Sequence, residues 1–90
     1  MKDFREDVKR SISHWAFLPM SQFSYEDSLK EKRPYFLFVS KIGMLVGATF
    51  PKEIDIDEFE VERLDSVNDF VEFLKSKGVN EIIDVPEGYD

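Results

Sequence analysis

The sequence predicts an α+β domain: a mainly antiparallel sheet of three to four strands with two amphipathic helices packed on one face, in the order α-(α)-β-β-β-α-β. Three observations lead there. One segment near each end of the chain carries apolar residues at helical spacing. Two unbroken apolar runs rich in β-formers flank Gly43 in the middle. The stretch Lys52–Asp65 then places seven carboxylates within fourteen residues, acidic and apolar positions alternating, as in a strand with one face in water.

Asp3 is placed to cap a first helix in which Phe4, Val8, Ile12, Trp15 and Ala16 form one stripe. Its end is forced before Pro19. Phe17 and Leu18 leave the stripe and are expected to pack from another direction. Phe23-Ser24-x-x-Asp27 resembles a capping signal for a short helix running from Leu29 to Lys32, stopped by Pro34.

Tyr35–Val39 and Met44–Phe50 read as central strands joined by a turn at Ser40–Gly43. Gly47 falls inside the second run, where a bulge or a close helix contact is expected. The acidic stretch reads as a third strand whose phase slips at Asp57–Glu58, because Ile54 and Ile56 are even-numbered while Phe59 and Val61 are odd. A one-residue bulge there restores a single apolar face and turns Glu53, Asp55, Glu58, Glu60 and Glu62 to solvent. Asp65-Ser66 starts a second helix with the stripe Val67, Phe70, Val71 and Leu74, stopped at Gly78. Glu81–Val85 reads as a short last strand ended by Pro86.

Ninety residues make one domain, spanning 1–90. With 42% hydrophobic content and nine phenylalanines the chain has enough apolar material to build a core. The absence of cysteine rules out disulfides, thiolate metal sites and a thiol nucleophile. The opening MKDFREDVKR lacks the apolar stretch of a signal peptide. No apolar run approaches the roughly 20 residues that cross a bilayer, so a cytoplasmic setting is expected.

Net charge is −7 and unevenly placed: residues 1–45 hold eight Lys/Arg against six Asp/Glu, residues 46–90 four against thirteen. Such acidity repels phosphate backbones and anionic membranes, so neither nucleic acid nor membrane is an expected partner. A helix, three strands and a helix resemble in order the double-stranded-RNA-binding domains, but Asp65, Asp69 and Glu72 on the following helix would repel that ligand.

The catalytic and metal motifs fail on their own chemistry. His14, the single histidine, sits away from the apolar stripe, with Ser11 and Ser13 expected to point elsewhere and no nucleophile-elbow sequence present. Asp55 and Asp57 have the spacing that opens a calcium loop, but Glu60 stands where the sharp turn needs glycine. The glycines form no phosphate-binding signature. No catalytic residue, metal or cofactor is therefore expected, and the sequence points to no enzyme.

What remains is protein interaction. The carboxylates Glu53, Asp55, Glu58, Glu60 and Glu62 form one expected surface, suited to a basic protein. The aromatic loop Phe17, Leu18, Met20, Phe23 and Tyr25 forms the other. The expected function is a small acidic, non-enzymatic binding protein, in its sharpest form an inhibitor or immunity-type protein for a basic surface. The alternative is a structural subunit that forms a homo-oligomer through exposed aromatics.

Overall fold

Among the described residues the chain forms five helices and one 3₁₀ turn, with α3 and α4 standing where the sheet was expected: α1 (Phe4–Ala16), the turn Met20–Gln22, α2 (Leu29–Lys32), α3 (Phe38–Thr49), α4 (Glu58–Glu62) and α5 (Val67–Ser76). The computed structural model describes residues 3–35, 38–49 and 55–89. More than half of these are helical and none forms a strand, so the fold is all-α and the α+β expectation is overturned.

The two terminal helices form for the reasons their sequences suggest. The Asp3 carboxylate accepts from the N–H groups of Arg5 and Glu6 at 3.0 and 3.3 Å, which satisfies two otherwise unpaired donors at the start of α1. At α5, the Ser66 hydroxyl accepts from the Asp69 N–H at 3.2 Å while the Asp69 carboxylate accepts from the Ser66 N–H at 3.1 Å, a reciprocal capping box. Gly78 ends that helix at φ 82°, a left-handed conformation open to glycine without strain.

α1 packs against both α3 and α5, and α4 against α3. One core cluster joins Val8 and Ile12 of α1, Met44 and Leu45 of α3, Val61 of α4, and Val67, Phe70 and Leu74 of α5. Each large side chain buried there contributes about 1.5–3 kcal/mol. Asp65 ties α2 to the start of α5: its carboxylate accepts from the Ser28 hydroxyl at 2.5 Å and the Lys30 N–H at 2.9 Å. Its carbonyl accepts from the Leu29 N–H at 2.7 Å. The short helix is thus real, but its cap is Ser28 rather than Ser24. Asp27 instead accepts from the Ser24 N–H, which holds its carboxyl below the ordinary carboxylate range.

Where two central strands were expected, the described residues from Phe38 to Thr49 form one helix. Val39 and Met44–Thr49 lie in α3, together with the expected turn at Ser40–Gly43; Phe36, Leu37 and Phe50 lie outside the described residues. A continuous apolar run suits a buried strand or a buried helix equally, and periodicity alone does not separate them. Gly43 makes no turn: a Cβ there would stand 2.9 Å from Cζ3 of Trp15, so the glycine admits the indole against α3. Gly47 marks neither a bulge nor a close contact, since a Cβ there would meet nothing within 4 Å.

The acidic strand is also corrected. Its phase slip at Asp57–Glu58 is a helix start, where the Asp57 carboxylate accepts from the Phe59 N–H at 2.9 Å and α4 follows. Ile56 packs on the core from the preceding segment, and Val61 and Leu64 are buried at i, i+3 spacing. Residues 51–54, with Glu53 and Ile54, lie outside the described residues. The expected last strand, Glu81–Val85, is irregular chain that inserts Ile82 into the core.

Candidate functional site

The C-terminal tail returns to the end of α1, and one buried serine organises the junction. Ser13 is fully buried; its hydroxyl donates to the Leu18 carbonyl at 2.6 Å and accepts from the Tyr89 N–H at 2.9 Å. The Tyr89 carbonyl in turn accepts from the Met20 N–H at 2.6 Å. Gly88 lets the tail come this close, because a Cβ there would lie 3.2 Å from the Ser13 hydroxyl and 3.1 Å from Arg10 and Met20 side-chain carbons.

This crossing assembles four rings. His14 stacks on Tyr89 with centroids 6.4 Å apart, meets Trp15 edge-on at 6.0 Å, and Phe17 lies 5.7 Å from Tyr89. Trp15 is 40% exposed, Tyr89 41% and Phe17 69%, so the cluster faces solvent. Phe17 caps α1 in the left-handed conformation, φ 53°, the one non-glycine positive φ among the described residues. A bulky side chain there costs about 1–2 kcal/mol relative to ordinary backbone. The Arg33 guanidinium fastens this corner by donating to the Phe17 carbonyl at 3.2 and 3.4 Å.

Of the expected aromatic loop, only Phe17 belongs to this surface. Leu18 and Phe23 are buried in the core, and Met20 and Tyr25 are half-buried against it. The loop covers the helices instead of projecting from them. Tyr25 and Phe23 also carry cations over their rings, with Arg5 4.3 Å from the Tyr25 centroid and Lys9 4.9 Å from that of Phe23.

The expected acidic face is divided. Asp55, Glu58, Glu60 and Glu62 are all exposed, but the three glutamates stand on a helix, where alternate residues diverge by about 200°. Glu58 and Glu62 share one side, while Glu60 points away and pairs with the Lys77 ammonium at 3.4 Å. Lys41 on α3 donates to the Glu62 carbonyl at 3.4 Å. Burial pushes the Lys41 amine below its ordinary value, against the opposing pull of Asp65 and Glu62.

Beside the aromatic cluster, a pocket of about 200 Å³ opens between α1, α3 and the tail. Trp15, Met44, Ile82 and Pro86 supply its apolar walls, Gly47 leaves one side open, and Ser11, His14 and Asp84 supply its polar atoms. The Ser11 hydroxyl is buried with no hydrogen-bond partner in the protein. Ser11 and His14 therefore share a site, against expectation, but no hydrogen bond joins them. His14 Nδ1 lies 3.3 Å from the Glu87 carbonyl. A nucleophile without its base in reach is not a catalytic pair.

Other apolar side chains reach solvent on α3, where Val39 is 80% and Val46 56% exposed. Trp15, Tyr89 and these valines were not anticipated as surface residues. The wheel position of Trp15 is that of a core residue; the one sequence signal of its placement is Gly43, where the sequence pattern suggests a turn. Among the described residues no group of three or more acidic or histidine side chains converges as a metal site, and no helix is long and apolar enough to cross a membrane. Comparison with family models, with curated proteins and with solved structures finds no match to this chain, so function must be argued from this geometry alone.

Proposed function

We propose that this protein acts without catalysis, by binding another protein through the aromatic surface where α1 ends. The observation that carries the proposal is Phe17: an exposed phenylalanine held in a left-handed cap, where glycine would fold at lower cost. Exposed aromatic clusters beside polar groups are what protein interfaces use as anchors. The surplus of carboxylates, including Glu58 and Glu62 on one side of α4, favours a partner with a basic surface and speeds its approach. An inhibitor-type role on a basic surface is the specific form of this reading, and a cytoplasmic setting goes with it.

The test is retention of proteins from a cell extract by the immobilised chain at low and high salt, against the variant Trp15→Ser/Phe17→Ser. Partners held by the aromatic surface stay bound at high salt on the wild type and are lost from the variant. Equal retention by both, or retention that vanishes with salt on both, contradicts the proposal.

Self-association is the second reading, favoured by the exposed Val39 and Val46 one heptad apart on α3. Light scattering after gel filtration separates the two, since a monomer at every concentration excludes the homo-oligomer.

A further inference from the structure

We infer that the pocket beside Trp15 is a binding site for a small organic cation, a primary ammonium on an apolar stem. The polar atoms of the lining set the sign. Asp84 brings a carboxylate, and among the described residues no lysine or arginine lines the pocket. The Glu87 carbonyl can only accept, so Nδ1 of His14 carries the hydrogen in their 3.3 Å contact. In the neutral ring Nε2 is then an acceptor. Ser11, 2% exposed as a residue, adds a buried and unpartnered hydroxyl to the lining, an unusual state for a buried polar group and one a ligand donor would relieve. The indole of Trp15 in the wall favours a cation over its face, and the chain's charge of −7 adds to the same preference.

Size sets the stem. A cavity of about 150 Å³ accommodates benzene, so about 200 Å³ takes one ring with a short aminoalkyl arm, or the four-carbon tail of a lysine. The shared chemistry is the ammonium and its apolar stem; a free arylalkylamine and a lysine of a docked protein are its two sources. The site is separate from the protein-binding proposal, although Trp15 and His14 belong to both surfaces.

Trp15 is the single tryptophan, so its emission reports occupancy directly. The experiment titrates the protein with benzylamine, n-butylamine, benzyl alcohol and benzoate. Benzylamine is expected to saturate with a Kd of about 1 mM, as befits so small a ligand, benzyl alcohol more weakly and benzoate not at all. Tighter binding of benzylamine than n-butylamine assigns the site to a free aromatic amine; equal or tighter binding of n-butylamine assigns it to a lysine side chain. Asp84→Asn and Ser11→Ala should each weaken benzylamine about fivefold, the scale of one lost polar contact. Gly47→Leu, whose Cβ would meet nothing within 4 Å, should abolish binding by placing its side chain on the open side. Its melting temperature, held at or above the wild-type value, shows that the loss is not unfolding. Benzoate or benzyl alcohol binding as tightly as benzylamine would overturn the inference. So would an amine response unchanged in Gly47→Leu and Asp84→Asn, or no saturable response to either amine. Loss of protein retention in Phe17→Ser alone, with its amine response intact, would separate the two proposals.

Discussion

Replacing Ser13 by alanine should destabilise this protein far more than the loss of one small hydroxyl suggests. The hydroxyl is fully buried and serves two groups, the Leu18 carbonyl at 2.6 Å and the Tyr89 N–H at 2.9 Å. Alanine leaves both without that partner. A buried group left unpaired costs about 1–3 kcal/mol; Tyr89 is partly exposed and recovers water, so its share lies at the low end. Alanine's better helix propensity returns about 0.5 kcal/mol. The net loss is about 2 kcal/mol, which lowers the melting temperature of a chain this size by roughly 8–16 °C. Urea unfolding followed by Trp15 emission should show the midpoint falling at unchanged slope. Amide exchange at Tyr89 and Met20 should quicken as the tail detaches. A loss below about 0.5 kcal/mol, or unaltered exchange at those amides, would refute the assignment of Ser13 as the clasp between α1 and the tail.

Ser11→Ala, two residues away, should act in the opposite direction: its hydroxyl has no partner, so removal should raise stability by about 1 kcal/mol in a thermal melt. Gly47→Ala should also stabilise, by about 0.5–1 kcal/mol, because it replaces a helical glycine beside open space. Gly43→Ala should gain less and shift the Trp15 emission, since its Cβ would press on the indole at 2.9 Å. Lys41 predicts a pH effect. Its amine titrates below the ordinary value in the folded state, so between that lowered value and the unfolded one the unfolded chain binds more protons. Stability must then rise with pH across that alkaline window, and Lys41→Met should flatten the rise in urea midpoints measured from neutral pH to about pH 10.5.

The terminal helices and their caps were legible because their signals are local. Asp3, Ser66 with Asp69, and Gly78 each act within a turn of their own position. The central helix was not legible, because residues 38–49 are apolar on nearly every side, which removes the period that tells a helix from a strand. Its one interruption, Gly43, makes room for a ring 28 positions earlier in the chain. In the acidic stretch the slip at Asp57–Glu58 is a true boundary, and Asp57 marks it as the helix cap. The aromatic surface divides in the same way. Phe17 leaves the stripe of α1 and could be singled out, whereas Tyr89 reaches it through a bond spanning 76 positions, which no local pattern encodes.

Phe17→Gly, measured for stability and for protein retention on one preparation, tests the central claim most directly. Relief of the left-handed phenylalanine is worth about 1–2 kcal/mol and loss of the Tyr89 contact costs about 0.5–1.5 kcal/mol. The urea midpoint should therefore hold or rise, while partners retained by the wild type at high salt are lost. A fall of 2 kcal/mol or more, or full retention of those partners, would show that Phe17 serves the fold and not a partner.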